Sequence, residues 1–220
     1  MNLLNLCITL ALAAAASITA AAPETPTTPP ATPDSAAPAA GYDIFFLPGG
    51  KSIAVPAFRT YVASGYTPSP KNLEFLAKLK GQVTAPKLVT FDTTKNNKSV
   101  LFCRASFPVF GPNKTPFAAL IEAAVNLELV ASGLVEADAP RLQATLDEFD
   151  FSSFGGGKWA IDATFRPEGK APFTIKSVHT FPVSAGAGAG CGDVMKALPD
   201  GIEAFLMKLY ADPAFAEALR

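Results

Sequence analysis

The chain has 220 residues, 49% of them hydrophobic and 17% charged, with a formal net charge of −1. Glu24 and Asp34 are the only charged side chains in the first 40 residues, so setting that segment aside turns −1 into +1. Such low, balanced charge excludes a highly charged disordered chain, argues against a nucleic-acid binder and implies no electrostatic partner. Residues 41–220 are enough for one domain with a real core and too few for two.

Residues 3–22 contain no charged side chain and run Leu-rich, then Ala-rich, into Ala-Ser-Ile-Thr-Ala-Ala-Ala before Pro23. This layout predicts a secretory signal over residues 1–21, cut after Ala20 or Ala21. The alternative is a retained anchor, because about 20 apolar residues can span a bilayer. Cys7 follows Leu4-Asn5-Leu6, and the apolar run continues beyond it. It therefore reads as an apolar residue of the signal, not as a lipidation site, and membrane attachment is left open.

Residues 22–40 hold Pro23, Pro26, Pro29, Pro30, Pro33 and Pro38 among Ala, Thr and Ser. Proline removes backbone donors and fixes φ, so the segment reads as an extended linker or tether. The expected export places the remainder in the periplasm.

Residues 44–47 and 51–58 read as strands, with Pro56 confining the second to an edge or an end. Leu73, Leu76 and Leu79 predict a short helix over 72–80, closed by Gly81. The β-rich runs 87–92 and 99–105 flank a polar turn and predict a hairpin. Residues 114–132 form the clearest helix: Thr115 as cap, Pro116 in the first turn, and Phe117, Leu120, Ile121, Ala124, Val125 and Leu129 as one apolar stripe. Gly133 closes it. Residues 141–151, 158–165 and 173–183 predict three strands in an antiparallel meander. On the first, alternation places Glu148 and Asp150 on one face with Leu142, Ala144 and Leu146, and Asp147 on the other. A second long helix covers 192–210, kinked or split at Pro199, and Asp212-Pro213 opens a last short one. The fold class is α+β: a predominantly antiparallel mixed sheet with two main helices on one face.

Few residues offer chemistry. His179 is the single histidine. It alternates with Ile175 and Phe181 on one strand face, which is a structural or partly exposed position. No cysteine–histidine spacing marks a metal site, and no Gly-x-Ser-x-Gly marks a serine hydrolase. The run Gly186-Ala-Gly188-Ala-Gly190-Cys191-Gly192 precedes a helix, yet Asp193 and Val194 follow where a phosphate loop needs Lys and Ser or Thr. It reads as a flexible strand-to-helix connection. Asp147, Glu148 and Asp150 read as a solvated strand end. Asn97 and Asn113 match the short glycosylation acceptor pattern. The 17 phenylalanines suit a core, and a groove for an apolar guest as well. No catalytic, cofactor-binding or metal-binding residue is assigned.

Cysteine arithmetic gives the one covalent expectation. With Cys7 lost in the signal, only Cys103 and Cys191 remain, and an exported domain meets an oxidising compartment. They are expected to form a disulfide, against the alternatives of two buried thiols or a reactive or metal-binding thiol.

The stretch Val100-Leu-Phe-Cys103-Arg104-Ala-Ser-Phe-Pro-Val, then Pro116-Phe117, Asn126-Leu-Glu128-Leu129 and Gly133-Leu134, resembles a group of uncharacterised exported proteins and lipoproteins of Gram-negative bacteria. Cys191, Leu198-Pro199, Ile202, Leu206 and Asp212-Pro213-Ala-Phe215 are similar to that group's C-terminal pattern. The likeness covers residues 88–220 and extends broadly to envelope accessory lipoproteins, in which a mixed sheet packed on helices binds protein partners. It implies a non-enzymatic envelope accessory protein that docks on a protein partner or assembly. The alternative is a periplasmic carrier for a lipid or another apolar ligand.

Overall fold

The structure is a computed structural model, and it describes residues 42–46, 52–56, 61–86, 88–96, 98–136, 139 and 141–220. The expected export signal, Cys7, the linker and Asn97 lie outside the described residues.

Tyr42–Phe46 (β1) and Ser52–Pro56 (β2) pair antiparallel as a hairpin. The main sheet has four strands in the order β4-β7-β8-β9: Thr90–Phe91 (β4), Leu142–Ser152 (β7), Gly157–Pro167 (β8) and Phe173–Phe181 (β9). The last three form the expected antiparallel meander. On its inner face Leu142, Ala144, Leu146 and Phe149 of β7 meet Trp159, Ile161, Ala163 and Phe165 of β8, all buried. Phe117–Ser132 (α2), Ala187–Lys196 (α3) and Leu198–Ala211 (α4) cover that face. Phe117 stacks on Phe149 with ring centroids 4.5 Å apart, and Trp159 Nε1 donates to the Val194 carbonyl of α3 at 2.9 Å. The outer face carries Lys158, Arg166, Thr174 and Lys176, all exposed. One face buried against helices and one in water explains the period-two pattern of β8 and β9. The α+β assignment holds.

A second sheet orders Tyr61–Val62 (β3), Phe107–Phe110 (β6) and Val100–Cys103 (β5) as β3-β6-β5. This corrects the expected hairpin between residues 87–92 and 99–105. β5 turns back at Arg104-Ala105-Ser106 onto β6, while β4 joins the other sheet parallel to β7. Pro108 had masked β6; the β3 pairing reaches only Val109 and Phe110, so proline sits where that neighbour asks for no ladder bond.

Pro70–Leu79 (α1) begins two residues before the expected start. Helix α2 begins at Phe117, not at residue 114, because Asn113 and Lys114 have φ of 53° and 57°. Thr115 does not cap it: its hydroxyl donates to the Pro112 carbonyl at 2.8 Å, and Phe117 N donates to the Lys98 carbonyl instead. Gly133 ends the helix in the left-handed region, as expected. Helices α3 and α4 meet at Ala197, which realises the split expected at Pro199. Asp212 caps Pro213–Ala218 (α5) through the Ala214 N–H at 2.8 Å.

The glycine run before residue 192 is not a loop. Residues 187–192 are the first turns of α3, so Cys191 lies inside that helix and does not open it. Glycine here permits close approach: a Cβ on Gly190 would sit 2.8 Å from both Arg104 Nη2 and the Ser184 carbonyl. A Cβ on Gly192 would meet nothing within 4 Å. Gly190→Ala should therefore cost about 1–3 kcal/mol in urea unfolding, since the fixed carbonyl has to shift. Gly192→Ala should instead stabilise by about 0.5–1 kcal/mol, through helix propensity alone. Equal effects at the two positions would refute the close approach.

Candidate functional site

Cys103 ends β5 and Cys191 lies in α3; both are fully buried and joined in a disulfide with Cα atoms 5.9 Å apart. The adjacent Arg104 acts as a polar brace beside that bridge. Its Nη1 donates to the Ala185 carbonyl at 2.6 Å, and its Nη2 to the carbonyls of Ser184 and Ser153 at 3.1 and 3.3 Å. One guanidinium thus links the β5–β6 turn, the β7–β8 connection and the segment entering α3. To aim it there, Arg104 and Ala105 both adopt left-handed φ, 50° and 61°, a conformation that costs energy outside glycine. The same guanidinium lies 5.5 Å from the centroid of the Phe154 ring.

Phe154 is 69% exposed and Phe102, on β5 opposite Cys103, is 61% exposed. Among the described strands β5 has a neighbour on one side only, so its other backbone edge is open. Both rings are thus exposed on a cross-linked base, with the Arg104 guanidinium over Phe154.

A second polar cluster lies inside the helices. Glu128 of α2 is fully buried, and its Oε1 accepts the Tyr66 hydroxyl at 2.5 Å, the Ser69 N–H at 3.0 Å and Asn72 Nδ2 at 3.1 Å. Asn72 also donates to the Glu203 carbonyl of α4 at 3.2 Å. The buried Tyr210 hydroxyl stands close to the same carboxylate. Burial raises the Tyr66 and Tyr210 phenols well above their ordinary value, and the Glu128 charge pushes both further. This buried carboxylate ties the segment before α1, α1 itself and α4 to α2. Composition-based reading missed it. The signal was present, because residue 128 falls on the Ala124–Val125–Leu129 stripe that α2 buries.

Two further polar side chains of α2 complete an edge. Asn126 Oδ1 accepts the Val89 N–H and its Nδ2 donates to the Val89 carbonyl, both at 2.8 Å, while Glu122 Oε2 accepts the Phe91 N–H at 2.6 Å. The helix thereby supplies the ladder partners that β4 lacks on its outer side.

The residues singled out from sequence are not brought together. His179 is half-buried, 6.4 Å from the Phe181 ring centroid and paired across from Trp159. Asp147, Glu148 and Asp150 are exposed, but a bulge between Leu146 and Glu148 changes their faces. Glu148 now pairs with Asp162 on the outer face, Phe149 takes the inner position, and Asp147 accepts the Thr164 hydroxyl at 2.6 Å. The expected placement of Glu148 with Leu146 is thus corrected. Asp193 accepts the Ser184 N–H at 2.8 Å, and the Ser184 side chain together with that backbone bond holds its carboxyl below the ordinary range. Among the described residues no group of three or more His, Cys, Asp or Glu could hold a metal, and no helix is long and apolar enough to cross a membrane.

No family model matches the chain, and no curated protein matches it. It is similar to the solved structure of a Xanthomonas campestris protein of family DUF330, with a TM-score of 0.41 and 13% identity over 66% of this chain and 90% of that one. It is also similar to an uncharacterised protein, with a TM-score of 0.32 and 9% identity over 68% of this chain and 90% of the other.

Proposed function

We propose that this chain is an exported, non-enzymatic accessory protein of the cell envelope, related to envelope lipoproteins, that docks on a protein partner or assembly in the periplasm. The observation that carries the reading is the pair Phe102 and Phe154, 61% and 69% exposed, on a base fastened by the Cys103–Cys191 bridge and Arg104. Aromatic side chains and Arg are enriched at protein–protein interfaces relative to the rest of the surface, which favours a docking role for these two rings beside Arg104. The export-type N-terminus and the proline-rich segment after it suit a domain held out from a membrane toward that partner.

The test is a photo-crosslinker placed at exposed Ser106, in the turn that carries Arg104, in intact cells. A discrete adduct is expected, reduced at least tenfold by Phe102→Ser together with Phe154→Ser, with the thermal midpoint of the purified variant unchanged. Uniform background adducts, or a discrete adduct that survives both substitutions, would remove this surface from the reading. N-terminal sequencing of the periplasmic protein should find a start near Ala21 or Ala22, and an intact Met1 in the membrane fraction would favour an anchor.

The carrier reading rests on a depression of about 220 Å³ lined by Pro167, Pro172, Phe173 and Ala214 together with the charged Lys170 and Glu217. That volume is small beside the 300–1,000 Å³ or so of typical ligand sites. Native mass spectrometry of gently purified protein separates the two: a retained apolar molecule supports carriage, and none supports docking.

A further inference from the structure

The outer face of the main sheet is not flat at its β4 side. Thr90 of β4, Gln143 of β7 and Arg166 of β8 form one cross-strand row by the strand register, and all three are exposed. The turn after β4 rises beside this row. Its shape is set by Asp92, whose Oδ1 accepts the Thr94 N–H at 2.9 Å and the Thr94 hydroxyl at 2.6 Å. It is tied down by Asn96 Nδ2, which donates to the Leu146 carbonyl at 3.2 Å, at the β7 bulge. Between turn and sheet lies a cavity of about 350 Å³ lined by Thr90, Asp92, Lys95, Gln143, Thr145 and Arg166, over Phe91 and Ala144.

The charges around it do not cancel. Arg166 Nη1 donates to the Thr145 hydroxyl at 2.6 Å, and Thr145 is itself buried, so the guanidinium is anchored from below. That bond uses one of five guanidinium donors. Neither Lys95 nor Arg166 is within ion-pair distance of a carboxylate among the described residues. Asp92 is the only carboxylate in the lining, so two cations face one anion. The Asp92 carboxyl is held below its ordinary range, chiefly by the Thr94 bonds and further by Lys95 and Arg166. It stays ionised and can accept a hydroxyl or ammonium of a ligand.

We propose that this cavity binds a small phosphate ester, its phosphate met by Arg166 and Lys95 and its hydroxyl or amino group by Asp92. A guanidinium fork and an ammonium point charge together satisfy several oxygens of a tetrahedral oxyanion, which a planar carboxylate would use less fully. The volume lies near the lower end of ligand sites, about 300–1,000 Å³, and suits a headgroup-sized ester. Thr90 and Gln143 supply neutral polar contacts along the floor. Either a soluble ester or the headgroup of a phospholipid presents this chemistry. The site shares no residue with the Phe102–Phe154 surface, so each stands or falls alone.

The test uses the mature exported protein in a phosphate-free buffer at low salt. Glycerol 3-phosphate and phosphoethanolamine are titrated by calorimetry, and flotation with phosphatidylglycerol vesicles forms the second arm. Saturable binding is expected, weakened at least tenfold by Lys95→Gln and by Arg166→Gln and less than twofold by Lys158→Gln, a cation elsewhere on the same face. Lys95 stands in an exposed turn, so its variant keeps the test open should Arg166→Gln destabilise the sheet. Saturation by the soluble esters identifies a soluble ligand; Lys95-dependent flotation without it identifies a lipid headgroup. No saturable binding in either arm overturns the proposal. So does binding that Lys95→Gln leaves intact or that Lys158→Gln weakens equally.

Discussion

Removing the bridge with Cys103→Ala and Cys191→Ala should cost roughly 4–5 kcal/mol of unfolding free energy, the loop-closure entropy restored to the unfolded chain. The cysteines are 88 residues apart in sequence, so the cross-link restrains much of the folded chain. For a domain of this size the thermal midpoint should fall by on the order of 10–15 °C. The loss acts locally as well, because α3 then meets β5 through packing and Arg104 alone. Arg104→Ala should be milder, about 1–2 kcal/mol, since its carbonyl bonds are partly exposed. Denaturant unfolding with and without reductant checks both, and the reduced wild type should match the double alanine variant. Because both sulfurs are buried, reduction of the folded protein should be slow and should accelerate with denaturant. Thiol titration of unfolded, unreduced Cys7→Ala protein should find no free thiol. A double variant within 1 kcal/mol of wild type would sink the account.

What could be read from the chain depended on whether the pattern was local. The meander was legible because Trp159, Ile161, Ala163 and Phe165 alternate without interruption and glycines mark the turn before them. The Cys103–Cys191 pair needed only counting and the expectation of an oxidising compartment. The β5–β6 hairpin was illegible for two reasons: Pro108 argued against a strand, and the turn is made by Arg104 and Ala105, residues that give no turn signal. The β7 bulge was equally hidden, since alternation through Asp147 continues on paper while one inserted residue exchanges the faces beyond it. Helix α3 was mistaken for a loop because glycine is a poor helix former, and tertiary contact overrode propensity where Gly190 had to pass Ser184. As for sites, exposure was the missing quantity. Phe102 and Phe154 look like core residues in a sequence with 17 phenylalanines, and Lys95, Asp92 and Arg166 are 74 positions apart at their extremes.

Glu128→Ala should be about as costly as loss of the bridge, at roughly 3–5 kcal/mol, because it strips a buried charge from donors that stay behind. Three of those donors, the Tyr66 hydroxyl, the Ser69 N–H and the Asn72 amide, converge on one oxygen. Without it the buried Ser69 N–H and Asn72 amide lose that partner with no water to replace it, while the half-buried Tyr66 hydroxyl is less affected. Glu128→Gln preserves the shape and offers an amide oxygen to the same three donors, so its cost should be about 1–2 kcal/mol. The tyrosines supply an independent readout. Burial first, then the hydrogen bond to Glu128 and its charge, raise the Tyr66 phenol above the ordinary value near 10; Tyr210 is raised by burial and by the same carboxylate. A phenol whose folded pKa exceeds its unfolded one stabilises the fold fully below about pH 10, and that contribution is lost as pH climbs beyond it. Stability should therefore decline above pH 10, with tyrosinate absorbance from Tyr66 and Tyr210 appearing only as the protein unfolds. Difference titrations against Tyr66→Phe and Tyr210→Phe isolate the two signals. In Glu128→Gln the Tyr66 signal should move to lower pH, though only in part, since burial remains the larger cause. Ionisation of Tyr66 and Tyr210 near pH 10 in a fully folded protein, or a Glu128→Ala variant as stable as wild type, would show that the carboxylate does not anchor the helices.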